Sequence, residues 1–207
     1  KTDAGSDTLY KEYCDKRDAL VEGGADIIEI GVPFSDPVAD GPVVEDASRR
    51  ALSDGVSLRG ILEELIERKG LIQAGVVLMG YLNPFLQYGY EKLARDAARG
   101  GVHGFIVPDL PYEEAGPLRE ALKKEGIALI PLVGPNTSAE RMALYNSVGE
   151  GYVYVVSVMG ITGERNDLAP QVAVTMRRAR SAFKLPLALG FGLREPSQLE
   201  ALSPDAR

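Results

Sequence analysis

Residues 26–42 read DIIEIGVPFSDPVADGP, an apolar strand pattern followed by a loop rich in Pro, Gly and Asp. The run 27–30 is apolar except at Glu29, which is typical of a buried strand. An ionised carboxylate without a partner is costly to bury. Glu29 therefore indicates acid–base chemistry, because an apolar setting raises a carboxyl pKa. A structural ion pair, or a strand-end carboxylate that reaches water, explains Glu29 equally well.

The same pattern of a short apolar run followed by a polar loop repeats along the chain. We predict six strands, over residues 26–30, 76–80, 104–107, 128–133, 152–157 and 186–190. We predict seven helices, over residues 7–23, 57–69, 90–99, 113–125, 138–148, 167–182 and 196–202. Repeated βα units imply a parallel sheet, because each helix carries the chain back to the start of the next strand. The sequence thus predicts one α/β domain and favours a barrel over an open sheet.

Composition excludes several classes of protein. The 207 residues are 45% hydrophobic and 26% charged, which is ordinary for a globular domain. A helix that spans a membrane needs about 18 consecutive apolar residues, and the sequence contains no such stretch. The net charge of −7 argues against a nucleic-acid partner. The one cysteine, Cys14, excludes an internal disulfide and fits a reducing cytoplasm.

The residue types needed for metal or Schiff-base chemistry are scarce. One histidine, His103, and one cysteine cannot build the usual zinc or non-haem iron site, so we expect no metal. No lysine falls inside a predicted strand, where desolvation would activate its amine. The sequence thus leaves carboxylate acid–base chemistry as the candidate reaction type.

Two glycine-rich turns follow predicted strands late in the chain, at residues 160–163 and 190–192. Such turns let backbone N–H groups approach a phosphate, although tight βα turns use glycine in any case. The proton-handling candidates are Glu29, Asp40 and Tyr154. Tyr154 shares a strand face with Tyr152, and a tyrosine there is as well suited to filling a core as to catalysis. These features together favour a phosphorylated small molecule as substrate.

Residues 28–42 closely resemble the signature of the tryptophan synthase alpha chain family. Further matches follow in order at residues 79–84, 107–111, 135–137, 157–163 and 190–192. The resemblance implies a TIM (β/α)8 barrel. It also implies a lyase of tryptophan biosynthesis, which cleaves indole-3-glycerol phosphate to indole and glyceraldehyde 3-phosphate by a retro-aldol reaction. The expected partner is a beta chain in a cytoplasmic alpha2-beta2 heterotetramer. Pyridoxal phosphate is expected only in that partner, and no cofactor in this chain.

The resemblance also implies roles for individual residues. Glu29 and Asp40 match the two catalytic carboxylates of the family, and Tyr154 matches a tyrosine near the substrate. Substrate contacts are expected from Met79, Tyr81, Thr162 and Phe191, phosphate contacts from Gly163 and Gly192, and partner contacts from the loop residues Asp36 and Pro37. Asp36 and Pro37 lie in the mobile second loop of the family, which faces the beta chain, and Thr162 lies in the sixth loop, which closes over the substrate. Asp40, on a flexible loop, is expected to reach its catalytic position only on closure.

The sequence departs from the family at both ends. Counterparts of the first and last strands are missing, so we expect a single barrel domain over residues 1–207 that is incomplete at both ends. Two other functions remain open. The missing last strand favours a catalytically weak subunit that activates a beta partner, whereas the presence of both Glu29 and Asp40 favours a competent enzyme. A free-standing indole-3-glycerol phosphate lyase that needs no partner is the third possibility.

Overall fold

The computed structural model describes residues 16, 19–156 and 170–190, and its strands are all parallel to their neighbours. The strands β1 to β7 run over Ile27–Gly31, Gly75–Met79, Val102–Ile106, Ala128–Leu129, Leu132–Val133, Val153–Val156 and Leu187–Gly190. Strands β1 to β4 form one sheet in chain order, and β5 to β7 form a second, also in chain order. Sequential order without reversal is typical of a barrel, whereas open doubly wound sheets reverse direction at a switch point.

The two sheets meet within one continuous stretch, residues 128–133, which we predict as a single strand. The structure divides it into β4 and β5 at Ile130 and Pro131. The Ile130 N–H donates to the Phe105 carbonyl at 2.9 Å, and the Tyr154 N–H donates to the Pro131 carbonyl at 2.9 Å. Proline has no N–H to donate, so Pro131 pairs with β6 through its carbonyl alone. The stretch thus joins the two sheets into one curved wall.

Helices alternate with the strands as predicted, with two additions. The helices α1 to α7 run over Pro42–Ser53, Leu58–Glu67, Leu82–Tyr88, Tyr90–Arg99, Gly116–Lys124, Ala139–Val148 and Pro170–Ala182. Residues 19–22 are also helical, and the rest of the predicted helix 7–23 falls mostly outside the described residues, as does the whole of the predicted helix 196–202. The predictions omit α1 and α3. Pro42 at the first position of α1 is a start signal that sequence analysis overlooked.

One long-range hydrogen bond shows that the sheet is curved. The Tyr152 hydroxyl, just before β6, donates to Oε1 of Glu29 in β1 at 3.2 Å. Neighbouring strands lie about 4.8 Å apart, so four strand spacings on a flat sheet would separate these residues by roughly 19 Å. The sheet therefore curls until β1 and β6 face one another, as the strands of a barrel do.

Apolar side chains fill both sides of the curved sheet. On the outer side, Phe85 of α3 and Phe105 of β3 are fully buried and pack edge to face at 5.2 Å between ring centroids. On the inner side, a separate cluster forms from Val77, Ile106, Ile130, Tyr152 and Tyr154. The prediction that Tyr152 and Tyr154 share a strand face is confirmed, since both lie in the inner cluster while Val153 and Val155 belong to the outer one. None of the helices in the described ranges has the length and apolar character needed to cross a lipid bilayer.

Candidate active site

Glu29 lies on the inner side of the curved sheet. It is in register with Val77 of β2, and residues in register on neighbouring strands share a face. Its other neighbours in β1, Ile28 and Ile30, point outward and are buried. The prediction that residues 27–30 form a buried strand is wrong for one face, because β1 alternates between buried and exposed residues and Glu29 is accessible to solvent.

The surroundings of Glu29 nevertheless favour proton transfer. Partial desolvation raises the pKa of Glu29 above its ordinary value, while the hydrogen bond from the Tyr152 hydroxyl lowers that pKa. Desolvation is the larger effect, so a protonated Glu29 persists to higher pH than a free glutamate would. Such a carboxyl is suited to act as an acid and then as a base.

Asp40 lies in the loop between β1 and α1 and is half-buried. Its Oδ2 atom accepts a hydrogen bond from the Tyr81 hydroxyl at 2.9 Å. The same hydroxyl accepts from the Ala39 N–H at 2.9 Å, so one phenol contacts two consecutive loop residues. Desolvation raises the pKa of Asp40, and the Tyr81 hydrogen bond opposes that change.

An apolar cavity of about 280 Å³ lies beside Asp40. The walls come from the end of β1, the end of β2 and helix α1, and include Gly31, Asp40, Ala47, Met79, Tyr81 and Pro108. Met79 also packs against the inner cluster that contains Tyr152, so it connects the cavity with the side of the sheet that holds Glu29. The structure therefore gathers Asp40, Met79 and Tyr81 at the carboxyl-terminal ends of β1 and β2, where α/β enzymes place their sites. Glu29 lies on the inner face of β1, two residues before the end of that strand.

Tyr154 lies in the inner cluster and is 5% exposed. It packs closely on Gly190 at the end of β7, where an added Cβ would overlap the Tyr154 hydroxyl. Close backbone approach of this kind needs glycine. The structure thus supports the packing interpretation of Tyr154 directly, and its role beside a substrate stays a prediction.

Asp36 and Pro37 lie in the same loop as Asp40. The Asp40 N–H donates to the Pro37 carbonyl at 3.0 Å, and the Val38 N–H donates to the Asp36 carbonyl at 2.9 Å, so the loop makes tight turns. Asp36 is exposed, and Val38 is 84% exposed.

Four predicted site residues lie outside the residues that the structure describes, namely Thr162, Gly163, Phe191 and Gly192. Cys14 also lies outside them. His103 accepts a hydrogen bond from the Val76 N–H through Nδ1 at 3.1 Å. That contact lies at the irregularity between β2 and β3, which indicates a structural role for the imidazole.

Two residues of the site have no role in the sequence analysis. Tyr152 is noted there only as a neighbour of Tyr154, and its contact with Glu29 requires the sheet to curl. Asp109, which follows β3, accepts a hydrogen bond from the Leu82 N–H through Oδ1 at 2.9 Å. It thereby satisfies an N–H at the start of α3, next to Tyr81. The signal for Asp109 is the Pro-Asp-Leu-Pro turn directly after a strand, a common position for residues that bridge neighbouring loops.

Comparison with known proteins agrees with this geometry. The model of the family described as tryptophan synthase alpha chain matches residues 3–206. The chain is 86% identical over 188 residues to the tryptophan synthase alpha chain of Desulfovibrio desulfuricans, covering 91% of this chain and 74% of that protein. The crystal structure of tryptophan synthase subunit alpha from Legionella pneumophila superposes with a TM-score of 0.79 at 38% identity, over 90% of this chain and 69% of that one.

A tryptophan synthase complex from Pyrococcus furiosus contains a chain that superposes with a TM-score of 0.77 at 33% identity, over 90% of this chain and 74% of that one. These matches confirm the predicted parallel α/β barrel. With a curved parallel sheet, one carboxylate on β1, another in the loop that follows it, and a family model that spans nearly all of its residues, the chain belongs to the tryptophan synthase alpha chain family.

Proposed function

We propose that Glu29 and Asp40 carry out the reaction of this family in the present chain. The alpha subunit is a lyase of tryptophan biosynthesis, which cleaves indole-3-glycerol phosphate to indole and glyceraldehyde 3-phosphate. The observation that carries the assignment is the pair of carboxylates on the inner face of β1 and in the loop that follows it, each with a raised pKa and each bound by a tyrosine hydroxyl. Carboxyl groups with perturbed pKa values are candidates for acid–base catalysis, and Asp40 also lies beside an apolar cavity.

Glu29 is proposed to move a proton twice. It first delivers a proton to C3 of the indole ring, which makes the ring cationic. It then accepts the proton of the hydroxyl on the carbon attached to C3, as the carbon–carbon bond breaks and its electrons return to the ring. Glu29 donates one proton and accepts one proton, so it is protonated again at the end of the reaction. The raised pKa of Glu29 supports this role, because the group must start protonated.

Asp40 is proposed to stabilise the cationic ring. Its ionised carboxylate accepts a hydrogen bond from the indole N–H, where positive charge develops after C3 is protonated. An acceptor already in place stabilises such charge without reorganisation during the reaction. The apolar cavity beside Asp40, which Met79 helps to line, has a volume suited to part of an aromatic ring system.

Several residues keep proposed roles that follow from the family. Phe191, Thr162, Met79 and Tyr154 are proposed to contact the indole and glycerol parts of the substrate, and Gly163 and Gly192 the phosphate. Asp36 and Pro37 are proposed to contact a beta chain in an alpha2-beta2 assembly. The similar chain in a tryptophan synthase complex from Pyrococcus furiosus supports the proposal of a partner. Pyridoxal phosphate is proposed for that partner and no cofactor for this chain, which is proposed to form one barrel domain in the cytoplasm.

The first test is indole release from indole-3-glycerol phosphate by the wild-type chain and by Glu29→Gln. We expect the substitution to lower the rate by at least about 100-fold, because an amide cannot transfer the proton. Glu63→Gln, at an exposed position on α2, is the matched control and should keep the wild-type rate. Turnover by Glu29→Gln at the wild-type rate would exclude the assigned mechanism.

The same assay with Asp40→Asn, and with a beta chain added, separates the remaining candidate functions. Asp40→Asn should lose about tenfold or more, because a neutral amide stabilises a cation less well than a carboxylate. A rate that rises with the beta chain supports a partner-dependent enzyme. A rate that is high and unchanged supports a free-standing lyase. A folded chain that releases no indole but activates the beta chain supports the interaction subunit.

A further inference from the structure

Tyr81 is expected from the family to contact the substrate, yet its hydroxyl already has two partners in the protein. It donates to Asp40 Oδ2 at 2.9 Å and accepts from the Ala39 N–H at 2.9 Å. A phenol donates one hydrogen bond, so the Tyr81 donor is fully used by Asp40. The hydroxyl therefore binds the loop that contains Asp40.

The Tyr81 ring is buried, and packing and hydrogen bonding around it fix its position. It is 4% exposed and stacks on Phe34 with 5.4 Å between ring centroids and 29° between the planes. The next residue, Leu82, donates its N–H to Asp109, which fixes the start of α3 directly after Tyr81. Tyr81 lies between the regular elements β2 and α3, so its hydroxyl has a well-defined position at this edge of the sheet.

The loop, by contrast, depends on few contacts. Ala39 is exposed and Val38 is almost fully exposed, and Asp40 is the half-buried end of the segment. Backbone bonds from Val38 to Asp36 and from Asp40 to Pro37 shape the turns but do not connect them to the barrel. The two bonds to Tyr81 link Ala39 and Asp40 to a residue 41 to 42 positions away.

We propose that Tyr81 is a positioning residue that holds the loop of residues 36–40 against the barrel and orients the Asp40 carboxylate toward the cavity. Because it acts on a carboxylate assigned to catalysis, this inference rests on the proposed function. It assigns to Tyr81 a role through Asp40, in place of a direct contact between its hydroxyl and the substrate.

The test is Tyr81→Phe, which keeps the ring and its stacking on Phe34 and removes only the hydroxyl. Two readouts need no activity. Hydrogen exchange of the Ala39 amide should become about tenfold faster, because that N–H loses its acceptor. Nuclear magnetic resonance of labelled aspartates, with Asp40→Asn to assign the signal, should show a higher pKa for Asp40, because the lost hydrogen bond favours the ionised form.

Activity supplies the third readout. The reaction needs an ionised Asp40, so the acid side of the pH–rate profile should move to higher pH in Tyr81→Phe. At neutral pH the variant should lose about tenfold in kcat and little in KM, because the substrate does not use the hydroxyl. A large rise in KM with unchanged kcat, an unchanged Ala39 exchange rate or an unchanged Asp40 pKa would overturn the proposal.

Tyr88→Phe is the matched control, since the Tyr88 hydroxyl also donates to a carboxylate, Asp96, but at the junction of α3 and α4. It should leave Ala39 exchange, the Asp40 pKa and the rate unchanged. If no variant and no wild-type sample releases indole while Ala39 exchange and the Asp40 pKa respond as expected, the proposed reaction fails and the positioning role stands. If wild-type turnover is normal and all three readouts ignore Tyr81→Phe, the positioning role fails alone.

Discussion

At the level of single residues, a tyrosine is paired with each proposed catalytic carboxylate. Tyr152 binds Glu29 and Tyr81 binds Asp40, and both hydrogen bonds lower a pKa that desolvation raises. Each hydrogen bond favours the ionised form of its carboxylate and limits the effect of desolvation. The pKa of each carboxylate thus reflects two opposing effects, namely desolvation by the surrounding residues and a hydrogen bond from one tyrosine.

The hydrogen bond from Tyr152 predicts a specific pH effect. Tyr152→Phe removes a contact that favours ionised Glu29, so the pKa of Glu29 should rise further. Since the reaction starts from protonated Glu29, the alkaline side of the pH–rate profile should move to higher pH, which a series of indole-release rates across pH would measure. Tyr88→Phe serves again as the control. A shift of the alkaline side to lower pH would contradict the assigned starting state of Glu29.

At the level of elements, Gly80 lets the end of β2 pack closely on its neighbours. Its N–H donates to the Ile106 carbonyl at 3.1 Å, and an added Cβ would lie 2.9 Å from both Val32 Cβ and Phe85 Cζ. The contacted atom of Val32 is its Cβ, which moves only with the backbone, and Phe85 is fully buried. Neither neighbour therefore has room to move away from the added methyl group. This close packing sets where the chain leaves β2 and therefore where Tyr81 lies.

Gly80→Ala should consequently lower the free energy of unfolding by about 1–3 kcal/mol, through overpacking of a filled site. Chemical denaturation of the variant and the wild type measures the difference. Gly116→Ala is the matched control, because no atom lies within 4 Å of its added Cβ, and it should be neutral or slightly stabilising. Equal stability of Gly80→Ala and wild type would show that the end of β2 relaxes freely.

At the level of the whole molecule, the loop that contains Asp40 also exposes an apolar side chain, Val38, next to Asp36 and Pro37, which are proposed to contact a beta chain. Val38→Ser should weaken association with a beta chain by about 1–2 kcal/mol, because burying a valine side chain is worth roughly that much. Titration calorimetry with the beta chain measures this change. Val174→Ser, an exposed valine on α7, is the control and should bind like wild type. Equal loss of affinity in both variants would place the partner surface elsewhere.

Much of the fold follows from local sequence. The alternation of apolar runs and amphipathic segments locates all seven described strands, with β4 and β5 predicted as one, and helix α4 at residues 90–99 agrees with its predicted bounds. These patterns suffice because strand and helix periods are local properties. Helix α1 is different, since no residue within it is buried and its apolar face lines a cavity instead of the core. Helix α3, with seven residues, is too short for a clear period.

The sequence by itself determined the family, the order of the βα units and the two carboxylates, because these depend on residue identity and short-range spacing. The tertiary structure decided which tyrosine contacts which carboxylate. Tyr152 and Glu29 are 123 positions apart and meet only because the sheet curls, and Tyr81 meets Asp40 across 41 positions because neighbouring strands end at one edge. It also decided that Glu29 is accessible, since the face of a strand that is covered depends on what packs against it.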